Sequence, residues 1–166
     1  MLLTNIQVEN ILAFWFPNEN YNNFWFDKSV DLKIYNDYYL LLDETFHKIL
    51  NISNSELELL EYNELLALII MFDQFSRNIS RILDISVSPM TEEAKKLAMI
   101  CINKKYYLNK GMNHICFILM PLRHLNKIND YYIIVKILNE LEDKKNNEIF
   151  IKFQNQTIKK LNLLKD

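Results

Sequence analysis

A single glycine, Gly111, serves 166 residues, where average usage would supply roughly a dozen. Hairpin-rich β architectures draw on glycine for primed turns and bulges, so barrels and sandwiches are disfavoured. One glycine cannot build a glycine-rich phosphate loop or a dinucleotide fingerprint, which excludes P-loop NTPases and Rossmann-type cofactor binders. Cysteine is nearly as scarce. Cys101 and Cys116 lie in apolar contexts without metal or redox spacing and read as buried thiols in a reducing cytosol. The three histidines, His47, His114 and His124, lack any ligand spacing, so neither a metal nor another cofactor is expected. Long hydrophobic runs are also missing. The longest, Leu65–Phe72 and Ile115–Leu122, hold eight residues each, against about 20 for a membrane span. The N-terminal stretch has no basic region and is interrupted by Glu9, which argues against a secretory signal and for a cytoplasmic location. Nineteen basic against 21 acidic residues leave a formal charge of -2. Without a basic balance or stripe, nucleic acid is not the expected partner.

What is present is helical periodicity. Thr4 with Gln7 forms a capping box ahead of Val8, Ile11, Leu12 and Trp15. Ser29 is expected to open a long helix with Val30, Ile34, Tyr38, Leu41, Leu42, Thr45 and Ile49 on its inner face. Ser55 with Glu58 reads as a second capping box, and the segment after Asn63 carries the strongest apolar face. Thr91-Glu92-Glu93 is expected to start a helix stopped near Gly111. A further helix runs from His114 with Pro121 as a kink or break. Asn129-Asp130 is expected to cap the next, and the last runs to about Leu164. The expectation is an all-α protein of about seven helices in an array or bundle, forming a single domain over 1–166. The two aromatic triplets, Phe14-Trp15-Phe16 and Phe24-Trp25-Phe26, read as a lock between the first helices or as the lining of a ligand pocket.

The chain holds 21 Asn, 21 Ile and 16 Lys against 4 Ala and 3 Arg. Residues with GC-rich codons are depleted together, which suggests an AT-rich genome and makes each retained arginine informative. All three fall in two short segments, Asp73 to Arg81 and Pro121 to His124. Arginine offers a planar, bidentate fork that lysine cannot supply. Asp73 continues the apolar stripe Leu66, Ile69, Ile70, so it is expected to be buried and paired with Arg77 one turn on. Gln74 and Asn78 stand in the same i, i+4 relation.

The string from Leu66 to Arg81, with its core Asp73-Gln74-Phe75-Ser76-Arg77-Asn78, resembles the signature of an uncharacterised helical family, domain of unknown function 924, assigned to the tetratricopeptide-like superfamily. Phe14-Trp15-Phe16, then Trp25-Phe26 with Asp31, Ile34 and Tyr38, then Phe117 to His124, are similar to further family segments in the same order. The resemblance covers roughly 4–126. It departs at Ser76 (usually Pro), Ile82 (usually Gly), Arg123 (usually Glu) and Asn126 (usually Glu), and an expected Arg-Phe-Pro-His-Arg-Asn element is not found after Ile128. Arg123 in place of a carboxylate reverses local charge and could pair with Asp73. The resemblance implies a tetratricopeptide-like fold and no particular reaction.

Two functional expectations follow. One is a binding module for a protein segment or a small anionic molecule, with Gln74, Arg77, Asn78, Arg81 and Arg123 as ligand-binding residues. The other is an enzyme acting on a small anionic substrate, with His124 as acid or base and Asp73 behind it. The enzyme requires His124 within hydrogen-bond reach of the Asp73/Arg77 group beside an open cavity. A purely structural Asp73–Arg77 staple would leave no cavity.

Overall fold

The computed structural model describes residues 1–166, and the chain is helical with no strand. Helix α1 spans Asn5–Trp15, α2 Asp31–Ile49, and α3 is the single turn Asn54–Leu57. Helix α4 runs unbroken over 62–80. Within it an α segment, Tyr62–Ile69, passes into a π-helical segment, Ile70–Phe75, and returns to α over Ser76–Ser80. Helix α5 covers Ser88–Asn103, α6 Met112–His124, α7 Ile128–Glu140 and α8 Glu148–Lys165. Seven long helices and one short turn match the expected architecture.

The two apolar runs of the sequence become the two central helices. Residues 65–72 of α4 are all buried because α1, α2, α5 and α6 pack around them. Residues 115–122 of α6 are enclosed in the same way by α4, α5, α7 and α8. A helix covered on all sides needs no polar face, which is why neither run shows a clean period. Between them lies the aromatic lock. The Trp15 ring meets Phe75 and Phe117 edge-on at 5.7 and 5.5 Å, and Trp25 meets Phe117 at 4.9 Å. Trp25 Nε1–H donates to the Trp15 carbonyl at 2.7 Å, fastening the short 3-10 segment Asn23–Phe26 to the end of α1.

The Thr4–Gln7 capping box is present. Several expected boundaries shift, each for a local reason. The second capping box is Ser53–Glu56, because Ser53 has the extended backbone an N-cap needs. Ser29 binds Asp27 instead of a helix end, and α2 begins at Asp31. Helix α5 starts at Ser88, since Pro89 fits a first turn whose N–H groups have no partner anyway. That leaves Thr91 inside the helix, its hydroxyl donating to the Val87 carbonyl at 3.3 Å. Gly111 does not end α5. It is the N-cap of α6 at φ −67, where an added Cβ would meet Asn113 Oδ1 at 2.6 Å. Pro121 neither breaks nor ends α6, which continues to His124. Asn129-Asp130 does not cap α7, whose N-cap is Lys127. Asp130 sits instead in the first turn, paired with Lys95 at 2.7 Å. Cys101 and Cys116 are buried free thiols. No helix is long and apolar enough to cross a membrane.

Candidate functional site

The π-helical segment of α4 places the first carboxylate. There the Ser76 N–H reaches back to the Met71 carbonyl, and the Ser76 hydroxyl donates to the Phe72 carbonyl at 2.6 Å. Such wide turns interrupt the regular ladder and are frequent at functional sites. Asp73 lies in this turn with no solvent exposure. A buried carboxylate needs donors, and three side chains supply them. Gln74 Nε2 donates at 2.7 Å, Arg77 Nη2 at 3.3 Å, and His124 Nδ1 lies 2.9 and 3.0 Å from the two Asp73 oxygens.

His124 ends α6. With Nδ1 directed at a carboxylate, that nitrogen carries the proton and the Nε2 lone pair is left open. Nε2 has no protein partner and is not sealed from solvent; the side chain is 20% exposed. Burial is the main influence lowering the His124 pKa, opposed by the Asp73 hydrogen bond and assisted by Arg77 and Arg123. The imidazole is therefore mostly neutral near pH 7.

The arginines divide by role. Arg77 Nη2 bridges Asp73 and the Thr91 hydroxyl, the latter at 3.0 Å, while its Nε is buried without an acceptor. Arg81 grips Asp31 through two parallel bonds of 2.6 Å, and Asn78 Nδ2 adds a third at 2.8 Å. Burial opposes ionisation of Asp31, yet the hydrogen bonds from Arg81 and Asn78 hold its carboxyl below the usual range. Arg123 does not pair with Asp73 as expected. It precedes His124 by one residue, about 100° around the helix, and so turns toward α8. Its guanidinium lies 4.5 Å above the Phe153 ring, and Nη2 donates to Met120 Sδ at 2.8 Å. Nε and Nη1 have no acceptor at all, in a residue only 5% exposed. Burial lowers the pKa of this guanidinium.

These groups meet at one cleft of about 210 Å³. Gln74, Arg77, Asn78 and Arg81 line it from α4, and Arg123 and His124 from α6. Asp73 stands directly behind. All seven residues singled out from the sequence are thus brought together. The other wall is formed by Trp25 and Phe26, from the triplet read as lock or pocket lining, and by Met120 and Gln156. Sequence reasoning missed Met120 of α6 and Gln156 of α8. It also missed Asp31, whose one signal was its place in the family-like segment after Trp25-Phe26. The aromatic triplets therefore serve both readings, with most rings in the core and Trp25 and Phe26 also facing the cleft. Arg77 and His124 border a second hollow of about 130 Å³ on their far side, beside Ser88 and Thr91. Lys160 is close enough that burial, Arg123 and Arg77 together lower its pKa. Of the three guanidiniums lining the cleft, Arg77 is paired with Asp73 and Arg81 with Asp31 and, more weakly, Asp27, which leaves Arg123 as the cation without a carboxylate partner. No three His, Cys, Asp or Glu side chains come together as a metal-ligand set.

The model of one protein family, described as bacterial protein of unknown function (DUF924), matches residues 11–163. The chain belongs to that family, and the match extends well past the segments whose motifs are legible by eye. No curated protein and no solved structure matches the chain.

Proposed function

We propose that this DUF924 member binds a small anionic molecule, a phosphate or carboxylate compound, in the arginine cleft between α4, α6 and α8. One observation carries the reading: Arg123 borders the cleft as a cation only 5% exposed, with no carboxylate of its own and with two donor nitrogens, Nε and Nη1, sealed from solvent without acceptors. Burying a charge without a counter-charge costs stability, and an anionic ligand would offset that cost. A cleft of about 210 Å³ suits a small molecule better than a protein segment. The tetratricopeptide-like stacking expected from the sequence belongs to the same proposal, as the scaffold that leaves a groove between helices.

The test is thermal unfolding in phosphate-free buffer at fixed ionic strength, with inorganic phosphate, acetate and succinate added in turn. At a hundredfold excess over Kd, binding adds about 2.7 kcal/mol. At least one anion should raise Tm in the wild type and fail to do so in Arg77→Lys and Arg123→Met. If none does, the reading is wrong.

A second reading, an enzyme acting on a small anionic substrate, is favoured by the Asp73–His124 pair. With Nδ1 bound to Asp73, Nε2 is left as the proton acceptor, and Asp73 would stabilise the imidazolium that forms. The arginines would hold the substrate's charge. Turnover of an anionic ester that disappears in His124→Gln, while anion-induced stabilisation persists, would separate catalysis from binding.

A further inference from the structure

The arginine cleft does not end at Arg123. A smaller hollow of about 30 Å³ continues from it along α8. The two spaces share Trp25, Phe26, Met120, Arg123 and Gln156, so Arg123 stands at their junction. Beyond the junction the chemistry changes. The walls become Tyr21, Ile149 and Phe153, with Cys116 at the base. The guanidinium lies on the Phe153 ring, and the Lys152 ammonium lies 3.7 Å from the centre of the Tyr21 ring, at the rim. Cys116 is no nucleophile here, since burial drives its thiol pKa far up.

A space of this size exceeds the 10–15 Å³ that one water needs, so it would hold roughly two waters or two to three carbon atoms. Water there would face aromatic and aliphatic walls on most sides, with Arg123, Lys152 and Gln156 as the polar exceptions. Ordered poorly, it is displaced with gain by an apolar group. A bare inorganic anion would leave that hollow unused.

We infer that the natural ligand is an anion carrying a short apolar arm of two to three carbons, the charged head held by Arg77 and Arg123 and the arm lying in the hollow between Tyr21, Ile149 and Phe153. This inference rests on the anion-site reading and adds the ligand's chemical class to it. A long acyl chain or a second ring would overfill the hollow.

Two homologous series test it by calorimetry on the intact protein: inorganic phosphate with methyl, ethyl, n-propyl and n-hexyl phosphate, and formate with acetate, propionate, butyrate and hexanoate. Each methylene that enters the hollow should tighten binding up to about fourfold. The gain should continue to two or three carbons and then level off or reverse. Ile149 touches the hollow but does not line the arginine cleft. Ile149→Phe should therefore keep the affinity for the shortest anion and lose the dependence on arm length. Should that variant fold poorly, the wild-type series decides alone. Affinity flat along both series, with the shortest members still binding, overturns the apolar arm and leaves the anion site standing. A gain that grows steadily to the six-carbon members overturns the size limit, and with it the hollow as the site of the arm. No binding of any member in either series overturns both the arm and the anion site.

Discussion

Replacing Arg123 by methionine should make the ligand-free protein more stable and the protein blind to anions. The arginine brings two buried donor nitrogens without acceptors, Nε and Nη1, each costing about 1–3 kcal/mol. Its return is the face of Phe153 at 4.5 Å and the Met120 sulfur at 2.8 Å. A desolvated cation–π contact contributes about 2 kcal/mol, and hydrogen bonds to thioether sulfur are weak. Methionine keeps an unbranched apolar stem in the same groove between Met120 and Phe153. Its thioether also packs well on aromatic rings. The net expectation is a gain of about 1–3 kcal/mol. In a chain of this length that corresponds to a Tm roughly 3–10 °C higher. Differential scanning fluorimetry at pH 7.5 without phosphate measures it, and the same scan with phosphate or a carboxylate reads the lost response. Arg123→Lys is the control, since it keeps the charge and loses the planar fork. A fall in Tm of several degrees for Arg123→Met would refute the reasoning. It would show that the guanidinium holds α6 to α8 and is not kept for a ligand.

Other outcomes are expected. Asp73→Asn removes the common partner of Arg77 and His124 at a position without solvent exposure; breaking such a buried ion pair should cost about 3 kcal/mol in urea unfolding. The folded-state pKa values of His124 and His114 are both lowered, chiefly by burial. The unfolded chain then binds more protons than the folded one in the window below 6.5. Stability should therefore be full above about pH 6.5 and fall as pH drops through the range down to their folded values. An anion bound near His124 should soften that fall, and Tm measured from pH 7.5 to 5 with and without ligand checks both statements. Phe117→Ala empties the position on which Trp15 and Trp25 converge and should cost about 3–5 kcal/mol, read by denaturant midpoint. Ser53→Ala removes the cap of the single turn α3 and should cost about 1 kcal/mol or less, with no change in anion response.

Legibility from sequence followed locality. The Thr4–Gln7 box could be read because both partners lie within one turn. The Ser53–Glu56 box was displaced by two residues because Ser53 and Ser55 both precede a Glu by three positions, and only the backbone of Ser53 is extended. Residues 65–72 and 115–122 stood out as core because enclosure by four neighbours removes every polar position. The arginines stood out for a different reason: scarcity against 16 lysines. Asp31 and Gln156 could not be found that way. Each is an ordinary polar residue on an amphipathic helix, and what distinguishes it lies 47 or more residues away, at Asn78 and Arg81, or across the cleft from Arg123.

By itself, the amino-acid order determined that this chain is helical, that its two apolar runs are its centre, and that Asp73 meets Arg77 one turn on. Those features depend on composition and on periods of three and four residues, which any stretch of chain carries with it. Tertiary structure decided the partners of the other two arginines and brought His124 to Asp73. Arg81 takes Asp31, and Arg123, one residue out of phase with His124, turns to Phe153 and keeps no counter-charge. The partner of a charge is set by where distant helices cross, and no spacing within a segment encodes that. The apolar hollow beside Arg123 exists for the same reason, since it lies between side chains that are neighbours only once α8 has packed against α6.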